Sequence, residues 1–297
     1  MAAKKKDAPP PGPWEIAPFI CCFGFVSGHL LTGHALDNEV REWDPGAGLV
    51  LAGHRKGRKA KESVLAIAVR PGHEQFLVET DKVLLLWASG KPKPVREIVG
   101  LGSSTLAWID ERRFLTGGSD GVLRVWDLES GKPTLEAEHG ERIVGLATDG
   151  EVAWTGGWSD NHTISRWDLS TGKAIGKIEL EDACSVMERS PDGARVALIS
   201  GGALRVFDWA TAKQLVKVDA HSRAESLAWI DDAHIVTCSE FDNTLRLWDA
   251  HGKKLDERAD LPRPARLAVG PDGVVYVAIA YQRIDRFRVT KDALSAI

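Results

Sequence analysis

The chain has 297 residues, with 29 Gly, 2 Met and a formal net charge of −4 at pH 7, a balance that excludes a global attraction to nucleic acid or anionic bilayers. No apolar run reaches the ~18–20 residues needed to span a membrane, and the opening MAAKKKDAPPPGP lacks the apolar segment of a secretory signal. Four Cys without a repeated spacing build no disulfide framework, so a reducing, cytoplasmic compartment is expected.

Residues 1–13 mix Lys with the Pro-rich stretch Pro9–Pro13 and are expected to form a disordered Lys/Pro tail. A docking peptide for a Pro-binding domain is the functional alternative for them. From residue 14 to 297 a repeat takes over. In its first copy, strands a to d are expected at 19–26, 29–34, 38–44 and 49–54, followed by a charged insertion, RKGRKAKE, at 55–62. The second copy has 63–69, 75–80, 82–88 and 95–99, and the third 104–110, 113–120, 122–127 and 134–138. The fourth has 143–149, 152–157, 163–168 and 174–180, and the fifth 184–193, 195–200, 204–208 and 214–219. The sixth has 225–232, 234–239, 244–249 and 254–259, and the seventh 265–273, 274–280 and 283–289. Two candidates for the last outer strand stay open: TKDALSAI (290–297), which lines up with TGKAIGKI (171–178), and WEIA (14–17) from the other end.

The best-marked copy is Gly117–Lys132, GGSDGVLRVWDLESGK: a small-residue turn, a short strand, a Trp-Asp pair and a second turn. Strand alternation puts Val122, Arg124 and Trp126 on one face and Leu123 and Val125 on the other. NHTISRWDLSTGK (161–173), GALRVFDWATAK (202–213) and DNTLRLWDAHGK (242–253) repeat it, and VREWDPGAG, VLLLWASGK and IDRFRVTKD are weaker copies. The anchor aromatics Trp43, Trp87, Trp126, Trp167, Phe207, Trp248 and Phe287 are 44, 39, 41, 40, 41 and 39 residues apart. A period of about 40–45 residues with a Trp-Asp signature marks four-stranded propeller blades. On these residues nearly the whole chain resembles the WD40 family. The resemblance implies an all-β, seven-bladed β-propeller of four-stranded antiparallel blades, with residues 14–297 as a single domain. One blade cannot bury both faces of its sheet, whereas radial stacking covers each with the next.

The resemblance also implies an internal hydrogen-bonded tetrad: His after strand d, Ser or Thr in strand b, Asp in the b–c turn, and the anchor Trp. His221, Thr237, Asp242 and Trp248 match it in the sixth copy. In the fourth, His139, Thr155 and Trp167 match, with Asp160 or Asn161 as the turn residue. The third has Thr116, Asp120 and Trp126 without a His, and the second keeps His54, Asp81 and Trp87. A His-Asp-Thr set is also the composition of a hydrolase triad, but the set recurs between copies and no nucleophile elbow accompanies it. No catalytic residue is therefore assigned. Trp108 and Trp229 share the motif LAWID and belong to the repeat rather than to a site.

Cys21, Cys22, His29 and His34 have the chemistry of zinc ligands. Adjacent side chains on a strand point to opposite faces, and His29 and His34 lie about 16 Å apart along one strand, too far for one ion. No metal or cofactor is expected, and Cys184 and Cys238 read as buried apolar residues.

The insertion is the sharpest local feature: Arg55, Lys56, Arg58, Lys59 and Lys61 are basic. The d–a and b–c connections emerge on one rim, and the connection from the fourth to the fifth copy carries Glu179, Glu181 and Asp182 there. A rim basic on one side and acidic on the other is expected. Trp158 and Phe241 lie in b–c turns, where the fold requires no large apolar group, so they are candidate anchors for a partner; each folding back on its own loop is the alternative. Trp209 is expected on the opposite rim. The function these readings support is a non-enzymatic, stand-alone protein-interaction scaffold, monomeric on its own. Its protein partner would dock through Arg55, Lys56, Arg58, Lys59, Lys61, Trp158, His162 and Phe241. Phosphate or nucleic-acid binding by residues 55–61 is one alternative, and a small-molecule or enzymatic site in the central channel is the other.

Overall fold

The computed structural model describes residues 14–15, 20–36, 39–47, 50–56, 63–99, 103–158, 162–224, 226–259 and 261–297. Strand β1 (Trp14–Glu15) precedes the first blade. Blade 1 is β2 (Ile20–Val26), β3 (His29–His34), β4 (Glu39–Asp44) and β5 (Val50–Lys56); blade 2 is β6 (Val64–Val69), β7 (Gln75–Thr80), β8 (Val83–Ala88) and β9 (Arg96–Val99). Blade 3 is β10 (Ser103–Trp108), β11 (Arg113–Gly118), β12 (Val122–Asp127) and β13 (Lys132–Glu138); blade 4 is β14 (Ile143–Thr148), β15 (Val152–Gly157), β16 (Thr163–Asp168) and β17 (Ala174–Glu179). Blade 5 is β18 (Cys184–Arg189), β19 (Arg195–Ser200), β20 (Ala203–Asp208) and β21 (Gln214–Asp219); blade 6 is β22 (Ser226–Asp231), β23 (His234–Ser239), β24 (Thr244–Asp249) and β25 (Lys254–Arg258). Blade 7 is β26 (Pro264–Val269), β27 (Val274–Ile279), β28 (Arg283–Thr290) and β29 (Ala293–Ala296). Each blade pairs its strands antiparallel in chain order, giving the seven-bladed, all-β propeller that the repeat predicts.

The Trp-Asp pair has two separable jobs. Each anchor is buried against the preceding blade: Trp248 lies among Leu204 and Val206 of blade 5, and Phe207 beside Trp154 and Ile164 of blade 4. The Asp that follows it closes the c–d turn. Its Oδ1 accepts the backbone N–H of Ser130 at 2.7 Å for Asp127, of Ser170 at 2.8 Å for Asp168, of Thr211 at 2.8 Å for Asp208 and of His251 at 2.9 Å for Asp249. Such Asx turns are why a short polar acceptor stands at that place. Blade 2 has Ala88 there, and across its turn the Lys91 N–H donates to the Ala88 carbonyl at 3.1 Å. Trp209 occupies the next position of the repeat, equivalent to Leu128 and Leu169. It opens the blade 5 c–d turn and is buried there, stacked on Trp154 at 5.6 Å with its indole N–H on Asp149 Oδ2 at 2.6 Å.

Ring closure uses both candidate segments. Ala293–Ala296 pairs with Thr290 to Phe287 of β28, and Trp14 and Glu15 pair with Ile284 and Arg283 of the same strand. The outer place of blade 7 is thus divided between the two ends of the chain.

Two other expectations change. Strand β5 runs to Lys56, with Arg55 opposite Val40 and Lys56 opposite Glu39, so Arg55 and Lys56 are strand residues rather than part of a loop. In blades 1 to 5 and 7, the first pairing of the innermost strand shifts register by one residue, as between Ile20 and Cys22. This bulge rotates side chains out of strict alternation. In blade 1 it brings Cys21 and Cys22 Sγ to 3.7 Å, so the expectation that adjacent cysteines face opposite ways fails here.

Candidate functional site

The tetrad in blade 6 is assembled as the resemblance implies. The Trp248 indole N–H donates to Thr237 Oγ1 at 2.9 Å, Thr237 Oγ1 meets His221 Nε2 at 2.8 Å, and His221 Nδ1 donates to Asp242 Oδ2 at 2.9 Å. Burial holds the His221 pKa below its usual value, against the opposing pull of Asp242. The group is neutral in the fold, so the Thr237 hydroxyl donates to Nε2. Trp248, Thr237 and His221 are buried and Asp242 is half-buried, with their polar atoms paired, the arrangement of a structural corner rather than of a nucleophile awaiting substrate.

Blade 4 joins Trp167 to Thr155 at 2.8 Å and Thr155 to His139 Nδ1 at 3.0 Å. Asp160 and Asn161 lie outside the described residues. Among those described, buried Glu141 is the acid nearest the far nitrogen of His139, at 3.7 Å, and it accepts the Thr163 hydroxyl at 3.2 Å. In blade 3, Trp126 donates to Thr116 at 2.9 Å, and Asp120 is held by Arg124 at 2.7 Å. Blade 1 has a variant that sequence reading missed. Trp43 donates to Thr32 at 2.9 Å, and the His, His34, comes from the same strand two residues on, at 2.8 Å from Thr32. Residues i and i+2 share a strand face, and that spacing was the available signal. His29 meanwhile bonds Glu42 at 2.8 Å. Among the described residues no three His, Cys, Asp or Glu side chains group as metal ligands.

The b–c and d–a connections form one rim of the ring, and three of the candidate side chains can be placed on it. Trp158, on the blade 4 b–c connection, is 47% exposed; Phe241, on that of blade 6, is 52% exposed. Phe241 is held on one side by the Arg223 guanidinium, 4.8 Å from its ring centroid. His162 takes a left-handed backbone conformation, φ 45°, and its carbonyl accepts the Leu180 N–H at 2.8 Å. Between Trp158 and Phe241 lies blade 5, whose b–c turn is only Gly201–Gly202, both at positive φ, as a two-residue hairpin requires. The rim is therefore low between the two aromatics.

Arg55 and Lys56 end the outer strand of blade 1, and Arg58, Lys59 and Lys61 lie outside the described residues. The expected acidic side of the rim is weaker than its sequence suggests. Glu181 is bridged by Lys217 at 2.6 Å and Arg205 at 3.0 Å, and Lys217 foremost, then Arg205, holds its carboxyl below the usual range. Trp108 and Trp229 behave as repeat residues: each indole N–H donates to the innermost strand of the preceding blade, Trp108 to Ala68 O at 3.0 Å and Trp229 to Glu188 O at 3.2 Å.

Blade count, strand order and the Trp–Thr–His corners define this chain as a WD40-type β-propeller. A family model described as "WD domain, G-beta repeat" matches residues 95–127 and 212–249, which run up to the Trp-Asp pairs of blades 3 and 6. Among curated proteins, the chain is similar to Meiotic fizzy-related protein 1 of Schizosaccharomyces pombe, 26% identical over 268 residues, covering 85% of this chain and 62% of that protein. It is also similar to Small ribosomal subunit protein RACK1 of Drosophila melanogaster, 27% identical over 145 residues, covering 44% of this chain and 45% of that one. Cell division cycle 20.6, cofactor of APC complex, of Arabidopsis thaliana is 24% identical over 163 residues, covering 50% of this chain and 38% of that protein. The matched part spans less than two thirds of each of these relatives. No helix among the described residues is long and apolar enough to cross a membrane.

Proposed function

We propose that the chain is a non-enzymatic protein-interaction scaffold, and that a partner protein lies across the b–c rim with Trp158 and Phe241 as its two anchors. The observation that carries this reading is their exposure, 47% and 52%, on either side of the low Gly201–Gly202 turn. Large aromatics on a rigid rim offer contact area at little entropic cost, and such residues dominate interface energetics. His162 follows the first anchor by four residues in the same b–c connection. Arg55, Lys56, Arg58, Lys59 and Lys61 would flank the docking face from blade 1 and steer an acidic partner toward it. Two similar proteins carry names that place them in assemblies, one as a small ribosomal subunit protein and one as a cofactor of the APC complex. That supports the reading by analogy of fold.

The test compares the wild-type chain with Trp158→Ala/Phe241→Ala as bait in cell lysate. Both positions are exposed, so the melting temperature should hold, as for surface changes within about 0.5 kcal/mol. Loss of the specific partners at an unchanged melt supports the rim; retention of every partner rejects it. Serine replacement of the five basic residues, read at low and high salt, then reports whether charge adds to the same face.

A further inference from the structure

The innermost strands repeat more strictly than the rest of the chain, and one residue breaks the repeat. Strand register places seven residues at equivalent positions: Gly24, Ala68, Ala107, Ala147, Glu188, Ala228 and Ala268. Six blades put Gly or Ala at this position beside the central channel, and blade 5 puts a carboxyl there. The residues paired opposite are Leu31, Leu77, Leu115, Trp154, Ala197, Val236 and Tyr276. Blade 5 therefore exchanges large for small across the pair. The exchange accounts for a larger side chain at 188, but an apolar one would serve packing equally well.

Glu188 lines a cavity of about 370 Å³ whose walls include Phe23, Phe25, Trp229 and Leu267, with Pro271 of an exposed a–b turn among its lining. The cavity lies toward the end of the channel opposite the rim of Trp158 and Phe241. Its volume falls in the range of small-molecule sites. No ion pair reaches the Glu188 carboxyl among the described residues. The arginines nearby are engaged elsewhere. Arg189 donates to Gly193 O at 3.1 Å and covers Trp209 at 4.5 Å; Arg195 lies over the Trp229 ring at 5.1 Å; Arg266 donates to Cys21 O at 3.2 Å. Burial pushes the Glu188 carboxyl up to about 8, and the Trp229 backbone N–H offsets this only in part.

We propose that this cavity binds a small organic ammonium ion, with Glu188 as its counter-ion and the aromatic walls of Phe23, Phe25 and Trp229 around its alkyl part. A half-buried carboxyl with no cation beside it among the described residues, in a cavity walled in part by aromatic side chains, is completed by a cation from outside, and aromatic faces favour a cation over a neutral group of equal size. The site lies away from the rim and stands or falls independently of the docking reading.

The probe is butylammonium, the chemistry shared by free alkylamines and the lysine side chain, titrated by calorimetry against the whole chain, with pentanol as the neutral match. Glu188→Gln keeps the size and removes the charge, and Glu188→Ala restores the residue that five other blades carry, so neither threatens the fold. Butylammonium should bind wild type at pH 8.5 at least tenfold more tightly than either variant and more tightly than pentanol. Its affinity for wild type should rise from pH 6 to pH 9 and stay flat for Glu188→Gln. N-acetyl-lysine methylamide binding as well as butylammonium would assign the cation to a peptide, and weaker binding would assign it to a free amine. Equal binding by wild type and Glu188→Gln, pentanol binding as tightly as the amine, or no binding by wild type would each overturn the proposal.

Discussion

Trp248 and Thr237 are joined by a single 2.9 Å hydrogen bond inside blade 6, and the pairing recurs wherever the described contacts join an anchor indole to strand b. Trp43 has Thr32, Trp126 has Thr116 and Trp167 has Thr155. Where the anchor is Phe207 or Phe287, which have no N–H, the equivalent positions are Leu198 and Val277. In blades 1, 3, 4 and 6 the hydroxyl accompanies the indole, whereas in blade 2 the anchor Trp87 stands with Val78 at that position. Phe207→Trp alone should therefore destabilise by burying an unpaired donor, at about 1–3 kcal/mol. Adding Leu198→Thr should recover part of that loss, and a double-mutant cycle on urea midpoints measures the coupling.

The anchors themselves carry more. Trp126→Ala or Trp167→Ala should cost about 3–5 kcal/mol, the range for large-to-small changes in a core. His221→Ala should cost less, about 1–3 kcal/mol, by leaving Thr237 and Asp242 without their partner. A thermal melt unchanged by either Trp substitution would contradict the interblade role.

Acid should weaken the fold through its buried histidines. Burial lowers the pKa of His221 and of His139. The unfolded chain therefore takes up protons near 6.5 that the folded chain refuses. Their contribution is complete above pH 6.5 and is lost as pH falls through the lowered folded values. Unfolding midpoints should decline below pH 6.5, and His221→Gln should flatten that decline.

Glu188 acts with the opposite sign. Its folded pKa is raised from 4.5 to about 8, so its neutral form favours the fold below pH 4.5 and that contribution is lost progressively up to about pH 8. Glu188→Ala should raise stability on the alkaline side, on the order of a few kcal/mol. The gain should vanish near pH 4. A pH series of melts on the two proteins reads this directly.

Gly202 should be the least replaceable residue of the low rim. It has φ 86°, and a Cβ there would lie 2.3 Å from the His221 carbonyl oxygen. Gly202→Ala should therefore cost more than the ~1 kcal/mol of a left-handed backbone alone and should disturb the neighbouring tetrad. Chemical denaturation, with the His221 ring resonances followed by NMR, checks both.

The blades were legible because their signals are local: the ~40-residue period, the Trp-Asp pairs and the small-residue turns all lie within one repeat. The blade 6 tetrad was legible for the same reason. What escaped depends on register across strands. The bulge that brings Cys21 beside Cys22 adds one residue to one strand, and composition does not reveal it. Glu141 comes from a connection whose length does not mark it as the partner of His139. Glu188 was visible in principle, as the one acid among FGF, IAV, LAW, LAT, MER, LAW and LAV. It emerges only when the innermost strands are aligned by pairing rather than by their anchors. Arg223 could be placed over Phe241 only by the three-dimensional path of the d–a connection.

The divided edge of blade 7 has a consequence for chain connectivity. Moving along β28, Ala296 stands opposite Phe287, the Ile297 N–H donates to Arg286 O at 3.1 Å, and Trp14 stands opposite Ile284. The two segments run in the same direction along that edge, so together they trace one strand with a nick. With residues 1–13 removed, a residue or two would bridge Ile297 to Trp14 and make the backbone circular, with the opening free to move to another blade. A permutant opened in a different c–d turn should fold to the same ring, its seam lying wherever the gene is cut.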